Sequence, residues 1–350
     1  MKKGALTIFR IVLLMMIPML YSLLFIGSMM DPYGKIDNLP VAVVKVRSNS
    51  KEDIIHRTFM QKNLFSYHEL SKKNAESKLK NGEVYGIIEF KQLTNRSQKG
   101  ETEIYLTTAE GANYAVSKII TAAMERFTVK ANQLVNQKEP GTTVRFVHKE
   151  AYPIKNNGEG MAPYFFALTL FVGAIATNSV AAVHFNKLKS KFKDYWRNVF
   201  FFPLIFIVGE VIFMTGMDYY LLGFGKEHIG ILFCLLLFIA ITYYSIVAAV
   251  NRLFPGTGGL IVLVLTMLQT SSSAGSYAIY LSNPIFQEIN KFIPMTYSVM
   301  SLRKILSLDN LNIRRELIVL IIFLMVSQVI IYLSFTIHHK KKRSSIEVND

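Results

Sequence analysis

Glu210, in the stretch FIVGEVIF, is a carboxylate in the middle of an apolar run. An ionisable group at membrane depth is costly to keep, so it is a functional candidate by default. Two roles fit it: a helix-to-helix bond, or a place on a substrate or proton path. A second group with usable chemistry lies in NRLFPGTGGLIVLVLTMLQTSSSAGSYAI, where Gln269, Thr270, Ser271, Ser272, Ser273 and Ser276 come after unbroken aliphatics. A phosphate loop requires a Lys after its second glycine, to reach the phosphates. PGTGG lacks one and runs into GLIVLVLTML, so it reads as a short turn before an apolar helix. The hydroxyl run then has two readings. Small polar residues let helices approach closely and bond across the contact, or the chain breaks there against a wet cavity. The third group is HFNKLKSKFKDYWRN, in which Phe185, Leu188, Phe192 and Trp196 recur at helical spacing between Lys187, Lys189, Lys191 and Lys193. That pattern is an amphipathic helix at a membrane surface; it serves either as an orienting loop or as a dock for a cytoplasmic partner.

Enzymatic constellations are missing. Cys234 is the single cysteine, and there is no H-E-x-x-H or G-x-S-x-G. The chain therefore reads as a non-enzyme that needs no cofactor.

The elements that carry these groups are mainly membrane helices. The chain is 51% hydrophobic with a mean hydropathy of +0.31, and the apolar residues come in blocks. A bilayer core of about 30 Å takes about 20 apolar residues. Blocks near 8–30, 161–183, 199–222, 228–250, 258–276 and 317–337 meet or approach that length. The first comes after Lys2 and Lys3 but is longer than a signal-peptide core and has no cleavage-like site, so it reads as an uncleaved anchor.

The net charge of +15 would suggest nucleic acid in a soluble protein. Here Lys/Arg cluster at the N-terminus, in 184–198, at Arg252 and in the tail HHKKKR, while GFGKEH on the other side has one Lys and one Glu. Five Lys/Arg between the fifth and sixth blocks weaken this bias without reversing it. The positive-inside rule then puts both termini in the cytoplasm. Membrane lipid, and no nucleic acid, accounts for the charge.

Residues 31–160 are different in kind. Strand-like runs at 41–46, 84–90, 103–108 and 143–151 alternate with helical patterns at 51–64, 72–81 and 112–135, which specifies a small α/β domain. The expected fold is a polytopic α-helical membrane protein of about six transmembrane helices, with an extracellular α/β domain (31–160) inserted between the first helix (1–30) and the rest (161–350). Within the last part lie a basic cytoplasmic loop at 184–198, a segment dipping in from the outer face at 271–308, and a basic cytoplasmic tail at 338–350.

The serine-rich stretch and its continuation NPIFQEINKFIPMTYSVMSLRK resemble the C-terminal membrane region of the YhgE/Pip family. DPYGKIDNLPVAVV after the first block is similar to that family's N-terminal signature, and GEVYGIIEF and APYFFALTLFVGA also resemble it. Many members carry a much longer outer region. Family members resemble the type-two membrane subunits of ABC exporters.

The resemblance implies a bacterial plasma-membrane permease subunit working with a cytoplasmic ATP-binding subunit, as a homodimer or with a paired permease. It makes Lys187, Leu188, Lys191, Phe192 and Trp196 the ATPase-coupling candidates. Glu210, Gln269, Ser272 and Ser273 are the candidates for the intramembrane pathway. The competing reading is a non-transporting envelope protein, receptor-like or part of a secretion scaffold, whose outer domain binds a partner.

Overall fold

The computed structural model describes residues 16–28, 30, 31, 33–44, 51–92, 102–138, 143–185, 191–224, 226–275 and 277–347. An apolar helix, α1 (Met16–Ser28), comes first. A mixed α/β unit comes next. Strands β1 (Pro40–Val44), β2 (Ser66–Leu70), β3 (Gly86–Gln92), β4 (Thr102–Thr108) and β5 (Val144–Glu150) form one sheet in the order β2-β1-β3-β4-β5. β1 runs parallel to β2 and β3, β4 is antiparallel to β3, and β5 is parallel to β4. Helices α2 (Lys51–Met60), α3 (Lys72–Lys80) and α4 (Tyr114–Lys138) supply the crossovers.

In β1, the consecutive residues Val41, Ala42 and Val43 are all buried, as are Ile87 and Ile88 in β3. Side chains alternate across a strand, so unbroken burial means both faces of the sheet are covered. Phe59, Leu79, Ile120 and Met124 from the helices complete this core. Each such fully buried side chain is worth about 1.5–3 kcal/mol. Local signals set the ends of α3: the Ser71 hydroxyl accepts from Asn74 N, and Gly82 just beyond takes φ +71°, the left-handed step that suits glycine.

The strand β2, SYHEL, has no counterpart in the sequence pattern, which predicts helix through 64 and no strand after it. Its burial pattern has no fully buried position, so no apolar alternation marks it. It exists because β1 offers it an open parallel edge.

Among the described residues, four helical segments are long and apolar enough to cross a membrane: Asn157–Val183, Phe192–Leu222, Lys226–Leu253 and Arg314–Ile337. The first lies in α5 (Asn157–Phe185). The second joins α6 (Phe192–Trp196), a π turn, α7 (Phe202–Met217) and a second π turn ending at Leu222. The third contains α8 (Ile229–Leu253), and the fourth lies in α12 (Arg314–Glu347). Between them come α9 (Gly258–Ser272), α10 (Pro284–Asn290) and α11 (Pro294–Ser307).

α8 is the axis of the bundle, packed by α5, α7, α9 and α12. Its Tyr243 and Tyr244 are fully buried. The Tyr243 ring meets Phe171 edge-on at 5.2 Å, and the Tyr244 hydroxyl donates to the Val199 carbonyl at 2.5 Å. The outer helices keep rows of exposed apolar side chains, for example Ile318, Ile322, Met325 and Val329 on α12. Such a surface suits lipid as its solvent.

The structure refines three sequence expectations. Among the described residues, four of the six blocks appear as long helices and the fifth as the shorter Gly258–Ser272; of the first block, residues 16–28 are described and are helical. At 1.5 Å per residue, fifteen residues in α9 span only about 22 Å, less than the bilayer core. The segment 184–198 is not all loop: from Phe192 it is helix, continuous with the third apolar block, because Tyr195, Asn198 and Val199 are buried in the bundle. Arg252, expected in a turn, lies in the last turn of α8, is buried, and donates to the Ala248 carbonyl at 3.1 Å.

The two cores meet at the edge of the α/β unit. Ala278, Leu281 and Leu308, from the segment after α9, belong to the sheet's core. Asn310 donates to the Lys80 carbonyl at 3.0 Å and to Asn81 Oδ1 at 2.9 Å.

Candidate functional site

Glu210 is the single charged residue of α7. Ile207, Val211 and Met214 beside it turn inward, while Phe206, Phe213 and Met217 are exposed. Glu210 is half-buried at the border between those faces. Its carboxylate lies against Gly173 on α5, where any Cβ would overlap it. It takes part in no hydrogen bond or ion pair with the described residues. Arg10, the one basic residue expected within the first block, lies outside the described residues.

Gln269, Ser272 and Ser273 are all buried at the C-terminal end of α9. Among the described residues, Gln269 Oε1 and Ser273 Oγ have no hydrogen-bond partner, and Ser272 Oγ meets only Ser271 Oγ at 3.4 Å. The last carbonyls of a helix need outside partners, and here neighbours supply them for the end of α9 and for the turn after it. Tyr164 of α5 reaches the Thr270 carbonyl at 3.5 Å, Asn290 of α10 reaches that of Ser272 at 2.5 Å, and Arg303 of α11 reaches Ala274 and Gly275 at 3.2 and 3.1 Å. Ala274 takes φ +59° to make the turn. Gly275 is packed so closely against the Tyr164 ring that a Cβ there would collide with it. The hydroxyl run is thus a tightly bound helix end with a few spare polar atoms. It is separate from Glu210, which belongs to the α5–α7 seam.

Of the coupling candidates, Lys187 and Leu188 lie outside the described residues. Lys191 is exposed and precedes α6 with extended backbone. Phe192 packs on Tyr332 at 5.0 Å and Phe335 at 5.4 Å. The Trp196 indole donates to Gln328 Oε1 at 3.0 Å, and Gln328 in turn donates to Ser245 Oγ at 3.1 Å. The aromatic residues of this element therefore hold the start of the third apolar helix to α12.

Three further features stand out, the first of which sequence reasoning passes over. Arg303 and Lys304 are both buried on α11, and Lys304 Nζ pairs with Glu316 of α12 at 2.8 Å. The signal was adjacent cations inside the apolar run MSLRKIL. Asp218, expected near the outer interface, is fully buried; its Oδ1 accepts from Phe224 N at 3.2 Å and its carbonyl from Gly223 N at 2.6 Å, closing the turn between α7 and α8. Asn178, expected to bond a neighbouring helix, is buried with its Oδ1 unpartnered among the described residues.

A bundle of long apolar helices with short polar pieces tied between them is the architecture of a multi-pass membrane protein. A family model described as "ABC-2 family transporter protein" matches residues 7–195, more than half of the chain, and the chain belongs to that family. A stretch of 161 residues is 26% identical to the "Uncharacterized protein YhgE" of Bacillus subtilis (strain 168), covering 45% of this chain and 20% of that protein. The match thus spans about a fifth of that relative's length. No solved structure matches.

Proposed function

We propose that this chain is the permease subunit of an ABC-type exporter, driven by a separate cytoplasmic ATPase and working as a homodimer or with a paired permease. The observation that carries this reading is the family match over residues 7–195, which runs from the first apolar block through α5 to α6. The arrangement around it supports the same reading. α6 is bound to α12, and α12 to the central α8, so a push on 184–198 from the cytoplasm would move three helices together. Access would then alternate between the two sides of the plasma membrane. In this reading both termini and the basic tail 338–350 are cytoplasmic, the α/β unit 31–160 is extracellular, and 271–308 dips in from the outer face. Gln269, Ser272 and Ser273 would offer polar groups to a substrate path where α9 ends, with Glu210 a second contact.

The test is co-purification with an ATP-binding subunit from the native membrane, repeated with Lys187, Lys189, Lys191 and Lys193 changed to Gln. Capture by the native chain and its loss in the variant are expected. Undiminished capture by the variant would remove the coupling role, and capture of no ATPase by the native chain would remove the exporter reading.

A further inference from the structure

We propose that the seam between α5 and α7 is a binding site for a lipophilic cation, an amine-bearing amphiphile that enters sideways from the bilayer, with Glu210 as its counter-charge. This deepens the transport reading by naming a substrate class, and rests on that reading only for the transport steps after binding.

Charge is the first reason. Glu210 has no cationic partner among the described residues, and the helices packed against α7 offer none at its level. α5 has no acidic or basic residue between Glu159 and His184, and α8 has none before Arg252. α7 itself has no other charged side chain. An unpaired carboxylate in a medium of low dielectric attracts a cation far more strongly than one in water.

Shape is the second reason. Helical residues three and four apart share a face, so Phe206, Glu210, Phe213 and Met217 form one stripe. Its two rings are 48% and 81% exposed, and Met217 is 42% exposed. Aromatic faces on either side of a carboxylate suit an organic cation, which gains cation–π attraction as well as the ion pair. A proton alone would need no such rings. On α5 the missing side chain at Gly173 lets the carboxylate lie against the backbone, and the neighbouring Val172 is exposed. A largely apolar site with one convergent charged group is the usual form of a small-molecule site.

The experiment uses the full chain in lipid nanodiscs, without ATPase or nucleotide, and radiolabelled tetraphenylphosphonium as the probe. Saturable binding is expected. It should weaken by about tenfold or more in Glu210→Gln, the loss of one buried charge contact, weaken less in Phe213→Ala, and persist in Glu210→Asp, which keeps the charge. Tetraphenylborate, an anion of the same shape, should show no saturable binding. Dicyclohexylcarbodiimide should modify Glu210, and the phosphonium should protect it.

Equal binding by Glu210→Gln, or saturable binding of the anion, would overturn the proposal. So would carbodiimide modification without protection, which leaves only a proton at the site. Modification that occurs only after dilution to monomers would also overturn it, because the face would then be covered by a second copy. Because binding is read without the ATPase, failure here leaves the exporter reading standing, and failure of ATPase capture leaves this site standing.

Discussion

The indole of Trp196 donates to Gln328 Oε1 at 3.0 Å, joining the start of the third apolar helix to the middle of the last one. Gln328 completes the chain by donating to Ser245 on α8. Replacing Trp196 by Phe keeps much of the apolar contact and removes the donor. A half-buried acceptor left unpaired costs about 1–3 kcal/mol. A lower melting temperature in detergent is expected, together with easier cleavage of 184–198 by added protease. A variant as stable and as protected as the native chain would show that the bond does not hold α6.

Lys304 and Glu316 form an ion pair at 2.8 Å with both side chains under 10% exposed. Lys304 Nζ also donates to the Asn312 carbonyl at 3.2 Å. Breaking such a pair strands a charge and costs about 3–5 kcal/mol, whereas replacing both partners by apolar groups is often neutral. Lys304→Met should therefore unfold more readily than Lys304→Met/Glu316→Leu. Thermal melts of the two variants check this, and equal melts would contradict it.

Gly111 touches the backbone of Ser307 so closely that a Cβ would overlap the carbonyl. This is where the α/β unit rests on the end of α11, beside the bonds from Asn310. Gly111→Ala should force the two apart at a cost of about 1–3 kcal/mol. Faster hydrogen exchange in 307–313 is the expected readout, with the strands β1 and β3 unchanged. Unchanged exchange at 307–313 would mean that the contact yields freely.

Burial raises the Tyr67 hydroxyl from 10.0 to about 12, against the lowering effect of its backbone bonds. Tyr85, also chiefly through burial, is likewise pushed up to about 12. A group whose folded pKa is raised favours the folded state fully below its unfolded value, and that advantage is lost as pH rises through the folded one. The α/β unit should therefore lose stability between about pH 10 and pH 12. Tyr67→Phe should reduce that loss. Denaturant melts across this range, with tyrosinate absorbance measured in parallel, test the expectation.

Much of the α/β unit was legible because β1, β3 and β4 are rich in aliphatic or β-branched residues, and because Ser71 and Gly82 bracket α3. β2 was not, since a polar edge strand has no pattern of its own. In the membrane half, Glu210 stood out as one charge in a run of apolar residues. Arg303 and Lys304 did not, because they sit in a helix whose apolar stripe explains the rest of it.

The sequence by itself determined the chemistry available and the medium: apolar blocks of bilayer length, a basic charge grouped in short connectors, and no catalytic constellation. Those properties come from composition and period along one chain. Only the tertiary structure decided partners. It put Gly173 beneath Glu210, gave carbonyls at the end of α9 to Tyr164 and Asn290 and those of the following turn to Arg303, and tied Trp196 to Gln328. Each of these depends on residues from separate helices meeting at hydrogen-bond or van der Waals range, and local pattern carries no information about such meetings.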